Sequence, residues 1–219
     1  METNWELISN FTIAMLAVVN PVEKIPLWVA ASKGSRFRFQ WLLASLVVLS
    51  CACVLLVFLW FGRQLLMELK IDLASFKIGG GLILLQFGFS MMKGTAVDFE
   101  PEPEDVSLSM KRRVLRRYQQ IFIPIGVPVI AGPGAITTAI IYGYQSQSPL
   151  TLMLLSIAVL GVLALLLLIL LTGPLIQKAV GQLPLDLISR IFGMILIAIA
   201  VQFMVDGLTT VFPGWVQGA

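Results

Sequence analysis

Apolar runs long enough to cross a bilayer recur from one end of this 219-residue chain to the other, and that recurrence constrains its fold more than any motif does. A hydrocarbon core about 30 Å thick takes about 20 helical residues to span. Windows of that kind lie near Leu7 to Ala31, Phe39 to Phe61, Leu73 to Met92, Ile121 to Tyr144, Leu150 to Leu171 and Leu187 to Phe212. They predict six transmembrane helices in an all-α polytopic membrane protein. The 58% hydrophobic and 12% charged residues, with mean hydropathy +0.93, agree with this reading. Soluble domains use only about 45 to 50% apolar residues. Residues Met1 to Asn10 carry Glu2 and Glu6 where a secretory signal would carry Lys or Arg, so the first apolar segment is expected to stay in the protein.

The charges point to an orientation. With the N-terminus outside, eleven basic residues fall on the inner side: Lys33, Arg36, Arg38, Lys93, Lys111, Arg112, Arg113, Arg116, Arg117, Lys178 and Arg190. Arg63, Lys70 and Lys77 fall on the outer side. Under the positive-inside rule this places both termini outside, and the net charge of +3 then needs no nucleic-acid partner. Histidine is absent, and the two cysteines, Cys51 and Cys53, lie two apart in one apolar run. Neither a metal centre nor Ser/His nucleophilic chemistry can be assembled from these, so the expectation is no enzyme, no metal and no cofactor.

The chain also repeats itself. Shifting the third helix by 113 positions pairs Lys77 with Arg190, Ile78 with Ile191, Gly80 with Gly193 and Met91 with Met204. The first and fourth helices share a different feature, interruption by proline, with Pro21 and Pro133 separated by 112. The expected organisation is a first three-helix repeat over 1–92, a cytoplasmic linker over 93–120 and a second three-helix repeat over 121–219, in one membrane domain. Three spans per unit is an odd number, so the second unit enters from the opposite side and the two repeats have inverted topology.

Proline inside a helix removes a donor and strands a carbonyl one turn earlier, which in lipid costs several kcal/mol unless protein or water satisfies it. Asn20-Pro21-Val22-Glu23-Lys24-Ile25-Pro26 interrupts the first helix, and Pro124, Pro128 and Gly132-Pro133-Gly134 interrupt the fourth. Unwound backbone at this depth is tolerated where it lines a cavity, and the half-helix after each break aims free N–H groups and a positive dipole end at it. The candidate substrate-binding residues are Asn20, Pro21, Glu23, Lys24, Pro26, Pro128, Gly132, Pro133, Gly134, Thr137 and Thr138, with Gly79, Gly80 and Gly81 shaping the cavity. Gly132 and Gly134 are expected in unwound, left-handed-compatible backbone. For Thr137 and Thr138 the competing role is a bond back to the preceding helical turn. Lys77 and Arg190 are expected to snorkel to headgroups, and Asp206 and Gln202 to be solvated at the outer interface.

Asn20-Pro21 with Pro26, Ile78-Gly79-Gly80-Gly81, Pro124 to Pro128 with Ala131-Gly132-Pro133-Gly134-Ala135-Ile136, and Arg190 and Gly193 through Gln202-Phe203 and Asp206-Gly207 occur here in an order that resembles the MarC family of inner-membrane proteins. That family, also called NAAT, includes the SnatA small neutral amino acid transporters. The resemblance covers nearly the whole chain. It implies a multi-pass protein of a bacterial or archaeal cytoplasmic membrane that moves alanine, glycine, serine or threonine, often as export. One departure stands out: where the family usually has Gly-Asn, this chain has Glu23-Lys24, two charges in the presumed site. In extended backbone adjacent side chains point to opposite sides, so these two are not expected to need each other.

The leading expectation is thus a secondary transporter of small neutral amino acids working by alternating access. Its partners are an amino acid, the lipid bilayer and a coupling proton or sodium ion. Other functions weighed are an ion channel, an ion-coupled carrier of another solute, and a non-transporting scaffold. No G-x-x-x-x-G-K-[ST] loop is present, so ATP is not the direct energy source. The orientation has a direct test: cysteines placed in the 93–120 linker should resist impermeant labelling from outside intact cells while terminal cysteines react, and the reverse pattern would overturn it.

Overall fold

The computed structural model describes residues 5–32, 35–93, 110–121, 130–146 and 148–213. Among these residues the chain forms α1 (Trp5–Val19), α2 (Lys24–Ser32), α3 (Phe37–Glu68), α4 (Leu73–Lys93), α5 (Met110–Ile121), α6 (Pro133–Gln145), α7 (Pro149–Val180) and α8 (Gln182–Val211). Four helices are long and apolar enough to cross a membrane: α3, α4, α7 and the Leu183–Val211 part of α8. The expected first span is two helices, α1 and α2, separated at residues 20–23. Within the expected fourth span, α6 opens at Pro133. Pro124, Pro128 and most of the 93–120 linker lie outside the described residues. The end of that linker is the helix α5, whose Val114 joins the core and whose Tyr118 Oη lies 2.6 Å from Ser50 Oγ on α3.

Local chemistry explains several helix ends. Asp72 caps α4: its Oδ1 accepts from the Ser75 backbone N–H and its Oδ2 from the Ser75 hydroxyl, each at 2.7 Å. These bonds hold the Asp72 carboxyl below its ordinary value, so this cap persists at neutral pH and is lost as acid protonates it. Ser148 caps α7 in the same way, accepting from Thr151 N–H at 3.1 Å, with Pro149 in the first turn. Gly181, at φ 80°, makes the left-handed turn between α7 and α8, a conformation that glycine adopts without steric cost. The expected end of the fifth span near Leu171 moves on to Val180 because α7 continues through Pro174.

The helices pack by close backbone approach. α4 and α8 run antiparallel: Ala74 lies by Gly207, Gly81 by Ala200, and Gly88 by Gly193. A Cβ built on Gly88 would stand 3.0 Å from the Gly193 carbonyl, and one on Gly193 would stand 3.0 Å from the Gly88 carbonyl. Small residues permit this approach, and in lipid such packing replaces the hydrophobic drive available in water. α6 is the hub. It packs against α1, α3 and α4, and residues Gly134, Ala135 and Thr137 through Tyr142 are buried. The Tyr142 ring is 5.2 Å from Phe11 on α1 and 6.0 Å from Phe203 on α8. Phe11 faces Tyr142 while Val18 faces Gly134, so α1 and α6 are antiparallel.

The glycine triplet of α4 separates two physical roles. A Cβ on Gly79 meets nothing within 4 Å, whereas one on Gly81 stands 2.8 Å from the Ala200 carbonyl and 2.6 Å from Met204 Cγ. Gly79→Ala should raise the thermal stability of the detergent-solubilised protein slightly, by about 0.5–1 kcal/mol from helix propensity. Gly81→Ala should lower it by about 1–3 kcal/mol, since overpacking against backbone cannot relax by rotating a side chain. Equal melting temperatures for the two variants would contradict this α4–α8 interface.

Candidate functional site

The first break is built around Asn20. The last turn of α1 closes with a 2.9 Å bond from Asn20 N–H to the Leu16 carbonyl. The chain then turns at Asn20, which has φ 38° and is fully buried. Asparagine is among the few residues with a side chain that enter this region readily, and Pro21 after it cannot donate to a continuing helix. Residues 21–23 form a turn, and α2 starts at Lys24, with Ile25 N–H bonded to the Val22 carbonyl at 3.1 Å.

Three polar side chains meet in this turn. Glu23 Oε2 accepts from Lys24 Nζ at 3.1 Å and from Asn20 Nδ2 at 3.3 Å. The expectation that Glu23 and Lys24 point apart is therefore corrected. In a turn that enters a helix, consecutive side chains are only about 100° apart, so the pair can close. Lys24 is 6% exposed, and Asn20 Oδ1, although buried, has no hydrogen-bond partner among the described residues. Trp28 Nε1, four residues past Lys24 on α2, is buried and unpartnered in the same sense. Pro26 is half-buried in the first turns of α2, and the neighbouring Ile25 seats α2 against Gly173 of α7.

The second break has different chemistry. Gly132 is extended, with φ −68° and ψ 176°, and caps α6 without a side-chain hydrogen bond, while Pro133 occupies the first helical turn. At Gly132 the backbone is thus extended rather than left-handed, which corrects the expected reason for that glycine. Gly134 is required by space. A Cβ there would stand 2.8 Å from Leu84 Cδ2 of α4 and 3.3 Å from Val18 Cγ1 of α1. Ala131 and Gly132 are buried and Pro133 is exposed. The Ala131 backbone hydrogen-bonds the Cys51 thiol of α3.

These contacts bring most of the expected residues together. Val18, two residues before Asn20, touches Gly134, so the α1 break and the α6 start meet beside Leu84. Gly80 faces the Thr137 side chain, whose methyl occupies the place a Cβ on Gly80 would need. Gly81 faces α8 and Gly79 faces open space, so of the triplet Gly80 is the one at the breaks. Thr138 bonds back to the Gly134 carbonyl at 2.9 Å, the local role weighed for it. Pro128 lies outside the described residues. A cavity of about 520 Å³ runs along α4, lined by Leu82, Leu85, Gln86, Phe89, Ser90 and Lys93, none of them an expected site residue.

Sequence reasoning missed two features. Lys77 does not simply snorkel: its Nζ lies 3.4 Å from Asp206 Oδ2, and Gln202 Nε2 donates to Asp206 Oδ1 at 2.8 Å, tying α4 to α8. Such a link needs the antiparallel register of α4 and α8, which a one-sided pattern does not show. Trp28 is not among the expected site residues, although its spacing of four from Lys24 places both on one face of α2. Because Asp206 is partly exposed, a double-mutant cycle on Lys77→Met and Asp206→Asn should give a thermal-stability coupling of only about 0.2–1 kcal/mol, and a coupling of zero would mean the pair is not formed.

Comparison with known proteins adds the following. A family model described as MarC family integral membrane protein matches residues 5–212. The chain is 28% identical to the UPF0056 membrane protein YhcE of Escherichia coli, with 94% of this chain and 93% of that protein covered. It is 26% identical to a UPF0056 membrane protein of Buchnera aphidicola, covering 94% of this chain and 93% of the other. A UPF0056 membrane protein of the archaeon Pyrococcus abyssi is 25% identical, covering 94% and 98%. No solved structure matches.

Proposed function

Because the chain belongs to the MarC family of integral membrane proteins, we propose that it is a secondary transporter of small neutral amino acids such as alanine, glycine, serine or threonine. It acts by alternating access in a bacterial or archaeal cytoplasmic membrane, with both termini outside. The observation that carries this reading is the meeting of the two helix breaks. α2 starts at Lys24 just after the buried Asn20, α6 starts at Pro133 beside Val18, and the N-terminus of each directs a positive dipole end toward its break. Discontinuous helices meeting inside a membrane protein are how secondary carriers hold the charged ends of small solutes.

The packing supports an inverted-repeat reading. α4 and α8, the third helix of each expected unit, cross antiparallel about the reciprocal Gly88–Gly193 contact. α3 and α7, the second helix of each unit, also pack together, and Trp60 Nε1 donates to Ser156 Oγ at 3.0 Å. Like elements of the two units thus lie side by side, as elements close to a pseudo-twofold axis in the membrane plane would. Two halves of similar sequence can exchange conformations and expose a central site to each side in turn. The chemistry here is binding and release, with no enzymatic step; a proton or sodium gradient, or downhill exchange, supplies the drive.

Counterflow in proteoliposomes tests the reading. Vesicles loaded with unlabelled alanine should accumulate labelled alanine transiently and saturably, while ion flux without alanine counterflow would favour a channel. Gly132→Val and Gly134→Val should insert normally yet slow counterflow, Gly134→Val by about tenfold or more, the size implied by an overpacking cost of about 1–3 kcal/mol at Leu84 and Val18. Normal insertion with wild-type rates would make the second break a purely structural feature.

A further inference from the structure

The hydrogen-bond account of the first break does not close. Lys24 carries three ammonium donors and is 6% exposed, yet among the described residues Glu23 is its one partner. Trp28 Nε1, a donor, and Asn20 Oδ1, an acceptor, are both buried without a partner among the described residues. Buried polar atoms are seldom left unpaired in a native protein, because each forgone bond leaves a desolvation cost unmet. The unmet groups divide by sign. Lys24 and Trp28, one turn apart on the same face of α2, offer donors. Asn20 Oδ1 offers an acceptor, on the same carboxamide whose nitrogen reaches Glu23.

Electrostatics sort the ligand classes. Glu23 neutralises Lys24, so the carboxylate at the start of α2 is already shared with an ammonium, and no side-chain carboxylate is named at the positive end of α6. A metal or simple cation would face the Lys24 ammonium. A simple carboxylate would face Glu23 and leave Asn20 Oδ1 empty. A ligand with both poles meets every unmet group, and a short spacing between those poles suits a site where the ion pair itself is 3.1 Å long.

We propose that the ligand binds as a zwitterion that divides the Glu23–Lys24 ion pair, its carboxylate held by Lys24 Nζ and Trp28 Nε1–H and its ammonium by Glu23 and Asn20 Oδ1. This rests on the transport reading above and deepens it, since it names the two poles that the site selects for and the residues that read each. In the empty site the internal ion pair stands in for the ligand. Entry exchanges one internal pair for two external ones, so the charges remain compensated with the site full or empty.

Binding to the purified full-length protein, measured by thermal shift and calorimetry, tests this with L-alanine, L-alaninamide, which lacks the carboxylate, and propionate, which lacks the ammonium. Wild-type protein should bind alanine about tenfold or more tightly than either probe, the size of one lost hydrogen bond to a charged group. Lys24→Met should bring alanine down to the level of alaninamide, and Lys24→Arg should restore most of the difference. Glu23→Gln should weaken alanine while strengthening propionate, because Lys24 is freed from its internal carboxylate. Trp28→Phe should weaken alanine and propionate but not alaninamide. Should Lys24→Met fail to fold, the probe ratios in Glu23→Gln and Trp28→Phe decide the matter in the same way. Alanine binding in the wild type with unchanged ratios in the folded variants would overturn the zwitterion site and leave the transport reading intact. No amino-acid binding or counterflow by the wild type would overturn both.

Discussion

Inside hydrocarbon every backbone N–H and C=O must find its partner within the protein, and this chain places a turn between α1 and α2 and an extended Gly132 at the start of α6. Most residues at these places are packed inside the protein, Pro133 excepted. Asn20 and Pro21 are buried, as are Ala131, Gly132 and Gly134, and the long helices α3, α4, α7 and α8 carry most of the exposed apolar surface. Four continuous helices long and apolar enough to cross a membrane pack with the shorter α1, α2 and α6. Without them, the turn at Asn20 and the extended Gly132 would each leave unpaired groups in lipid.

Close packing follows from the same constraint. A short helix such as α6 cannot be held by its own length, so it is held on several sides. Gly143 lies against the Leu59 backbone of α3, Gly62 against Ile140, Gly80 against Thr137, and Gly134 between Leu84 and Val18. These approaches leave no room for a Cβ without displacement of a neighbour. Rigid seating of α6 is what makes its N-terminus a defined place. The α4–α8 pair, joined through Gly81, Gly88, Gly193 and Gly207 and by the Lys77–Asp206 link, supplies the wall against which that end is set.

Placing Glu23 and Lys24 in the turn has an energetic consequence. Desolvating an ion pair can cost more than its mutual attraction returns, so a buried pair is weak evidence for a role in stability. Here the carboxylate has a second donor in Asn20, while the ammonium and the Asn20 carbonyl stay under-used. An arrangement optimised for stability alone would have closed these bonds. One poised to exchange partners would leave them open, which is why the same residues serve the ligand argument.

Much was legible in the residues themselves. The long apolar windows, the six-fold count of spans as an expectation, and the two breaks at Asn20-Pro21 and Gly132-Pro133-Gly134 follow from local rules: hydrophobic length, the missing donor of proline and the reach of short side chains. Those rules act over a few residues, so one chain suffices to read them; the first interruption falls at residues 20–23, shorter than the expected Asn20 to Pro26, and α6 opens at Pro133. The register of α4 on α8, the pairing of Lys77 with Asp206, the contact of Gly80 with Thr137, and the separation of Gly79 from its neighbours were not legible. Each depends on which face of one helix meets which face of another. Glu23 and Lys24 show the boundary between the two: their charges and their position beside Pro21 were plain in the sequence, but whether they point apart or pair depended on a turn rather than extended chain after Asn20, and only the packed structure decides that, because burial of Asn20 and the start of α2 set the backbone that brings the two side chains together.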